Sequence, residues 1–397
     1  MCIIGVIVYL NKPYEDEKEY LKKNYSNISL KEDDFKGFEI LDKDLKGKKI
    51  VLTGEEHYLD KGYTLQLKML KYLQKEIGVN YFLKEIGYGD AHFINKYLES
   101  GDETILKDYF SLLIGLNYAN EGYYNLYKNL YEFNQTLPKE QRIKVVGVDV
   151  NTLVTDAYIL DILKNENLLT DELKQLLLEL QDFNYHIPVR YKELINIVDN
   201  LIKDIEVNEK TYIEMFGEDA EGFKYAVKSL RKLCETFIVE RKDKYNLRDF
   251  YIYENFKELD AKLENPTYFG QLGGAHIYQE RVFSNIISEY IDYFGCWLNR
   301  DEKYKGKVLS LHYGYYSDKG NIHSSESFVE EDLFKDFLET ESETIIFKLN
   351  SRKSPFKERA INPFTRFVFD YESNPTTNYY EYMILIKNSE YSKKLEN

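Results

Sequence analysis

The chain has 397 residues, a formal charge of −15 and three cysteines. That length buries a core without disulfide or metal staples, which excludes the small stapled domains. The excess of 68 acidic over 53 basic residues is repelled by phosphate backbones and anionic lipid, so neither nucleic acid nor a membrane surface is expected as a partner.

The start, MCIIGVIVYLNK, is apolar from residue 2 to 10. A bilayer span takes about 20 apolar residues, and the positive flank and cleavage site of a signal peptide are lacking. The segment reads as a first strand or packing segment, with a shortened membrane anchor as the alternative. Cys2, Cys234 and Cys296 are far apart and form no CxxC pair. Inert thiols in a reducing compartment, hence a cytoplasmic location, are the expectation.

Short apolar runs then predict strands at 49–53 (KIVLT), 80–84 (NYFLK) and 143–150 (IKVVGVDV). Between them, residues 64–77 place Leu65, Met69, Leu70 and Leu73 on one helical face, and 91–98 and 123–133 have the same period. From 153 to 256 no strand pattern occurs; ELKQLLLELQDF and RYKELINIVDNLIKDI are helical, and Pro188 marks a helix start or break. Strand patterns resume at 267–272, 307–312, 343–349 and 382–387, and the tail after 388 is polar and expected to fray. Alternating strands and helices predict an α/β fold: a central, mostly parallel sheet flanked by helices, with a large helical insertion. The expected division is a first half of the core at 1–152, the insertion at 153–256 and the second half at 257–397. The 37 tyrosines are spread along the chain and single out no site.

Two of the six histidines follow an apolar strand by Gly-x-x-His: IVLTGEEH ends at His57 and YFGQLGGAH at His276. Ligand sites in open α/β sheets lie beyond the carboxyl ends of strands, where glycine lets the backbone turn and approach a ligand. If the two strands are neighbours, both imidazoles enter one crevice. His57 is a candidate general base, metal ligand or substrate orienter, with Glu55 and Glu56 beside it. Glu85 ends an apolar run, so its charge must be exposed in a crevice, paired or bound. Asp149 ends VVGVDV by the same logic, or caps the following helix. Arg248 and Asn255 lie seven apart on one helical face, where they hold an anionic group, clamp Glu85 or form surface pairs. His92 follows the Glu85 loop, and His312 ends a further strand. His186 and His323 read as loop or surface residues. No G-x-S-x-G elbow, P-loop, HExxH or strand-following GxGxxG occurs.

These segments, in this order, resemble the erythromycin esterase-like superfamily, which includes the TIKI and ChaN-like branches. GEEH (54–57), LKEIGYGDAHFINKYLESGD (83–102) with Asn95 and Tyr97, RDFYIYEN (248–255) and GGAH (273–276) carry the likeness, and VVGVDV and YMILIK fit it. The Gly-x-x-His spacing of the first motif is closer to the TIKI and ChaN-like branches than to the esterases, which place one more residue before the histidine. The resemblance implies an α/β fold with a helical insertion and a hydrolase that directs water at an ester or related acyl bond without a covalent intermediate. It implies His57 or His276 as the base, Glu55 and Glu85 as groups that orient or polarise, and Arg248 as a support. Glu56, His92, Asp149 and Asn255 join Arg248 as expected substrate-binding residues.

The TIKI likeness implies, as the alternative, a divalent-metal-dependent protease or hydrolase, with Glu55, His57, Glu85 and His276 as ligands if a metal is bound. The ChaN likeness implies a non-enzymatic binder of haem or another ligand. A small-molecule or peptide substrate is the expected partner.

Overall fold

The computed structural model describes residues 14–31, 33–150, 153–181, 183, 187–285, 287–318, 328–364, 369–370 and 374–396. The apolar start, His186 and His323 lie outside the described residues. No helix among the described residues is long and apolar enough to cross a membrane.

Eleven strands occur among the described residues: β1 (Tyr25–Asn27), β2 (Ile50–Glu55), β3 (Tyr81–Lys84), β4 (Lys144–Gly147), β5 (Tyr268–Gly273), β6 (Val282–Ser284), β7 (Glu289–Ile291), β8 (Val308–Tyr316), β9 (Thr344–Lys348), β10 (Phe369–Asp370) and β11 (Tyr382–Lys387). Eight of them build the main sheet, which is mostly parallel and flanked by helices, an α/β fold. The chain divides into two compact units. One draws on Met1–Asn80, Asn120–Asn129 and Thr267–Leu395, the other on Tyr81–Ala119 and Leu130–Pro266.

The first unit holds six strands of the main sheet in the order β1-β9-β11-β8-β2-β5. β11, β8, β2 and β5 run parallel, and β9 is antiparallel to both β1 and β11. Every residue of β2 is buried, which is why IVLTGE reads as an unbroken apolar run rather than an alternating one. β8 runs four residues past the predicted end at His312. Its YGYY continuation is rich in aromatics that suit a pleated surface, and Gly314 leaves the space that Met383 occupies; a Cβ there would lie 2.3 Å from the Met383 Cε. The helix after β2, Asp60–Ile77, stops at Gly78, whose φ of 67° is the left-handed cap that ends many helices. β6, β7 and β10 form a small antiparallel sheet.

The second unit holds the parallel pair β3 and β4, helix Tyr88–Ser100 and the helical insertion. The insertion contains Thr155–Ile162, Asp171–Gln181, Pro188–Val207, Glu209–Phe216, Ala220–Ile238 and Arg241–Asp260. Pro188 stands in the first turn of its helix, where its missing N–H costs nothing. Leu194, Val198, Leu201 and Ile205 recur at helical spacing and pack with Phe216 and Phe223 in a core of the insertion's own. β4 ends at Gly147, short of the predicted 150. There a Cβ would lie 2.2 Å from the Gly87 carbonyl oxygen, and the next residues turn to donate from Val148 to Lys84 and from Asp149 to Ile86.

β4 is an edge strand, and two asparagine side chains seal it. The Asn134 amide accepts from the Ile143 N–H and donates to its carbonyl, both at 2.9 Å. Asn95 makes the same pair with Val145, both at 2.8 Å. In parallel pairing, alternate residues of an edge strand turn both backbone groups outward. The two amides stand in for the missing strand and remove a template for intermolecular pairing.

Candidate functional site

β2 and β5 are neighbours, with Glu55 in register with Gly273, so the two Gly-x-x-His units end adjoining strands. The glycines let the two turns meet: a Cβ on Gly54 would lie 2.7 Å from the Gly274 carbonyl oxygen and 2.8 Å from Ile277 Cγ1. His57 follows β2 with its side chain one-third exposed, and its Nδ1 lies 3.3 Å from Glu55 Oε1. The next residue, Tyr58, has a φ of 72°, a left-handed conformation that costs a tyrosine about 1–3 kcal/mol and recurs at functional turns.

Glu55 is buried, and its other oxygen accepts from Gln271 Nε2 on β5. Gln271 Oε1 in turn accepts from the hydroxyls of Thr53 at 3.3 Å and Tyr313 at 3.2 Å. The Glu56 N–H donates to the Tyr315 hydroxyl at 3.3 Å. Burial raises the pKa of both phenols and the nearby Glu55 charge raises it further, so each is a neutral hydroxyl at physiological pH. The helix after the turn packs over the carboxylate at Gly62, where a Cβ would stand in ordinary contact, 3.7 Å from Glu55 Oε2. Glu55 is thus held by an imidazole and by one neutral amide, which the Thr53 and Tyr313 hydroxyls hold in turn.

His276 is buried in a 3-10 turn, Gly274–Ile277, with its ring edge-on to Tyr293 at 5.8 Å. His312 is buried opposite Gly54. Its Nδ1–H donates to the Tyr313 carbonyl at 2.9 Å, so Nε2 accepts from the Tyr278 hydroxyl at 3.4 Å. Burial pushes its pKa down to about 4, so this third imidazole is neutral.

In the second unit, Arg248 gathers the other two carboxylates. Its Nη2 lies 2.8 Å from Glu85 Oε1 and 2.7 Å from Asp149 Oδ2, and its Nε donates to Asp149 Oδ1 at 3.1 Å. Burial works against the guanidinium charge, but Asp149 and Glu85 outweigh it and drive the arginine pKa well above its ordinary value. Asn255, two turns along the same helix, donates to the Val148 carbonyl at 3.2 Å and accepts from Lys232 at 2.9 Å. His92 stands with Lys96 on Asp161, at 2.8 Å and 2.6 Å.

Sequence reasoning named Glu55, Glu56, His57 and His276, which the first unit contains, and Glu85, His92, Asp149, Arg248 and Asn255, which the second contains. It missed Gln271, Tyr313 and Tyr315. Their signal is weak, because a polar residue inside YFGQLG or an aromatic strand tail has no distinctive spacing. Among the described residues no three His, Cys, Asp or Glu side chains are grouped to hold a metal ion, and both Glu55 oxygens have partners, His57 and Gln271.

No protein-family model matches the sequence, and no curated protein matches it. Solved structures do. A Bacillus cereus protein is similar at 15% identity and a TM-score of 0.68, over 97% of this chain and 100% of that one. A succinoglycan biosynthesis protein is similar at 14% identity and a TM-score of 0.68, over 96% and 98%. An erythromycin esterase variant in its open conformation is similar at 13% identity and a TM-score of 0.64, over 94% and 100%. Across that span the chain has the fold of the erythromycin esterase structure, as the strand-end motifs implied.

Proposed function

We propose that the chain is a hydrolase of the erythromycin esterase-like type, cleaving an ester or related acyl bond of a small-molecule or peptide substrate with water activated at His57. The observation that carries this reading is the Glu55–His57 pair, a buried carboxylate against a one-third-exposed imidazole beyond the carboxyl end of a central strand. The tautomer with Nδ1–H toward Glu55 puts the basic lone pair on Nε2. Nε2 takes a proton from water as the water oxygen bonds to the acyl carbon, and returns it to the departing alkoxide. Glu55 orients the ring and stabilises the imidazolium while the proton is held. Gln271, itself held by the neutral Tyr313 phenol, keeps the carboxylate in place without competing for its charge.

His276, at the end of the adjoining strand, is the alternative base. Glu85 keeps its expected role as a further carboxylate of the reaction, and Arg248 that of its support.

A panel of esters and lactones tests the proposal. General acid–base catalysis contributes about 10²–10⁴-fold. His57→Ala should lose turnover in that range while its circular dichroism and thermal transition stay unchanged. Glu55→Gln should lose less, and Glu85→Gln in the same assay reads the second carboxylate. If His276→Ala abolishes turnover and His57→Ala does not, the base is His276. Unchanged turnover in both histidine variants would end the reading.

A further inference from the structure

The polar segment after β11, NSEYSKK at 388–394, is expected from its composition to fray, yet it lies docked along the first unit. It meets two helix starts, whose first N–H groups have no partner inside their own helix. At helix Asp60–Ile77, the Asp60 N–H donates to the Glu390 carbonyl at 3.0 Å and the Lys61 N–H to Ser389 Oγ at 3.2 Å. At the start of helix Glu121–Gln135, the Glu121 N–H donates to the Lys393 carbonyl at 2.8 Å and the Gly122 N–H to Ser392 Oγ at 2.7 Å. Both serines are buried, while Glu390 and Tyr391 between them are exposed. The serine bonds span 328 and 270 residues, so composition near the chain end could not foretell them.

The same segment grips the turn that carries His57. The Ser392 N–H donates to the Tyr58 carbonyl at 2.8 Å, and Tyr391 pairs with Leu59 in an isolated antiparallel bridge. Tyr58 is the residue with a φ of 72°. A conformation of that kind persists only where its surroundings over-determine it. On the strand side of His57, the Glu56 N–H is fixed on the Tyr315 hydroxyl. On the helix side, Tyr58, Leu59 and Asp60 are all fixed on residues 390–392.

We propose that residues 389–394 are a strap that sets the conformation of the His57 turn, with Ser389 and Ser392 as its positioning residues. They act on His57 through the backbone of Tyr58, Leu59, Asp60 and Lys61. The hold on the turn stands on geometry alone; that it aligns a general base rests on the hydrolase reading. A reacting group displaced by about 1 Å can lose about 10²-fold in rate.

Hydrogen exchange on the intact chain reads the hold. Ser392→Pro removes the N–H that Tyr58 accepts. Ser389→Ala combined with Ser392→Ala removes both hydroxyl acceptors and keeps that N–H. The Asp60 N–H retains its backbone acceptor in both variants, yet it should exchange at least about tenfold faster in each, while residues 384–386 of β11 exchange as in the unaltered chain. Lys394→Ala, at an exposed side chain, should change neither rate. In the ester assay, kcat per folded chain should fall about tenfold or more in both strap variants, with KM within about twofold. Acceleration in one variant alone assigns the hold to the bond which that variant removes. The proposal is overturned if Asp60 exchanges at the unaltered rate in both variants, if residues 384–386 accelerate by the same factor, or if an active chain keeps its kcat in both. A chain that cleaves no ester ends the hydrolase reading and leaves the strap to be decided by exchange.

Discussion

Each unit places carboxylates at strand ends, yet the two solve the problem of a buried charge in opposite ways. In the first, Glu55 is held by Gln271 and by the His57 imidazole, whose charge is not permanent. In the second, Glu85 and Asp149 are locked on Arg248, whose charge is permanent. A carboxylate–imidazole pair can pass a proton, because the imidazole has a nitrogen that accepts one and a nitrogen that donates one. A carboxylate–guanidinium cluster cannot. It resists change and gives rigidity: Arg248 clamps Glu85 and Asp149 in place, as the support proposed for it.

That contrast can be broken by experiment, and the largest effect belongs to the clamp. Arg248→Ala strands Asp149, only 2% exposed, beside Glu85, and breaking a buried pair from one side costs about 3–5 kcal/mol. Urea denaturation should show a loss of that size, with Arg248→Lys between it and the unaltered chain. A loss below about 1 kcal/mol would mean that the cluster is solvated and is no clamp.

The edge seal comes next. Asn134→Ala leaves the Ile143 N–H and carbonyl without the amide that pairs with them, at about 1–3 kcal/mol for an unsatisfied buried group. Light scattering should also register self-association, since an edge strand is uncovered. A variant as stable and monodisperse as the unaltered chain would remove the role assigned to the asparagine.

A pH dependence follows from Asp90, which is buried in the second unit and accepts from the Tyr109 hydroxyl and the Gly87 N–H, with no cation in the pair. Burial pushes its pKa up from 3.8 to about 7. Between those values the folded chain keeps a proton that the unfolded chain has released, so stability falls as pH rises from 3.8 to about 7 and levels off above. The slope from one group is at most about 1.4 kcal/mol per pH unit. Asp90→Asn should flatten that part of the stability–pH curve; an unchanged slope would assign it to other groups.

The smallest stability effect is expected at the proposed chemical site. His57 is one-third exposed, and His57→Ala should shift the unfolding free energy by no more than about 0.5 kcal/mol. A shift as large as that of Arg248→Ala would make the Glu55–His57 pair structural, and the contrast between the units would vanish.

Much of the fold was legible from local pattern. Each of the seven predicted strands coincides with an observed one within a few residues at its ends, because apolar runs of four to eight residues bounded by polar turns are a local signal. The three-residue strands β1, β6 and β7 were not foreseen, being too short to show a period. The long end of β8 was missed because YGYY is aromatic rather than aliphatic, and a tyrosine count of 37 blurs that cue. At the candidate site, Glu55 and His57 are two residues apart, so their pairing was local too. The partnership of Glu55 with Gln271 spans 216 residues and had no local trace.

The sequence by itself determined the alternation of strand and helix, the all-helical stretch and the glycine turns that carry His57 and His276, because periodicity and turn chemistry act over a few residues. Tertiary structure alone decided that β2 lies between β5 and β8, that the neutral Gln271 amide holds Glu55, and that Arg248 takes up both Glu85 and Asp149. Those outcomes depend on contacts between residues about 100 or more positions apart, and only the packing of the folded chain brings such residues into reach.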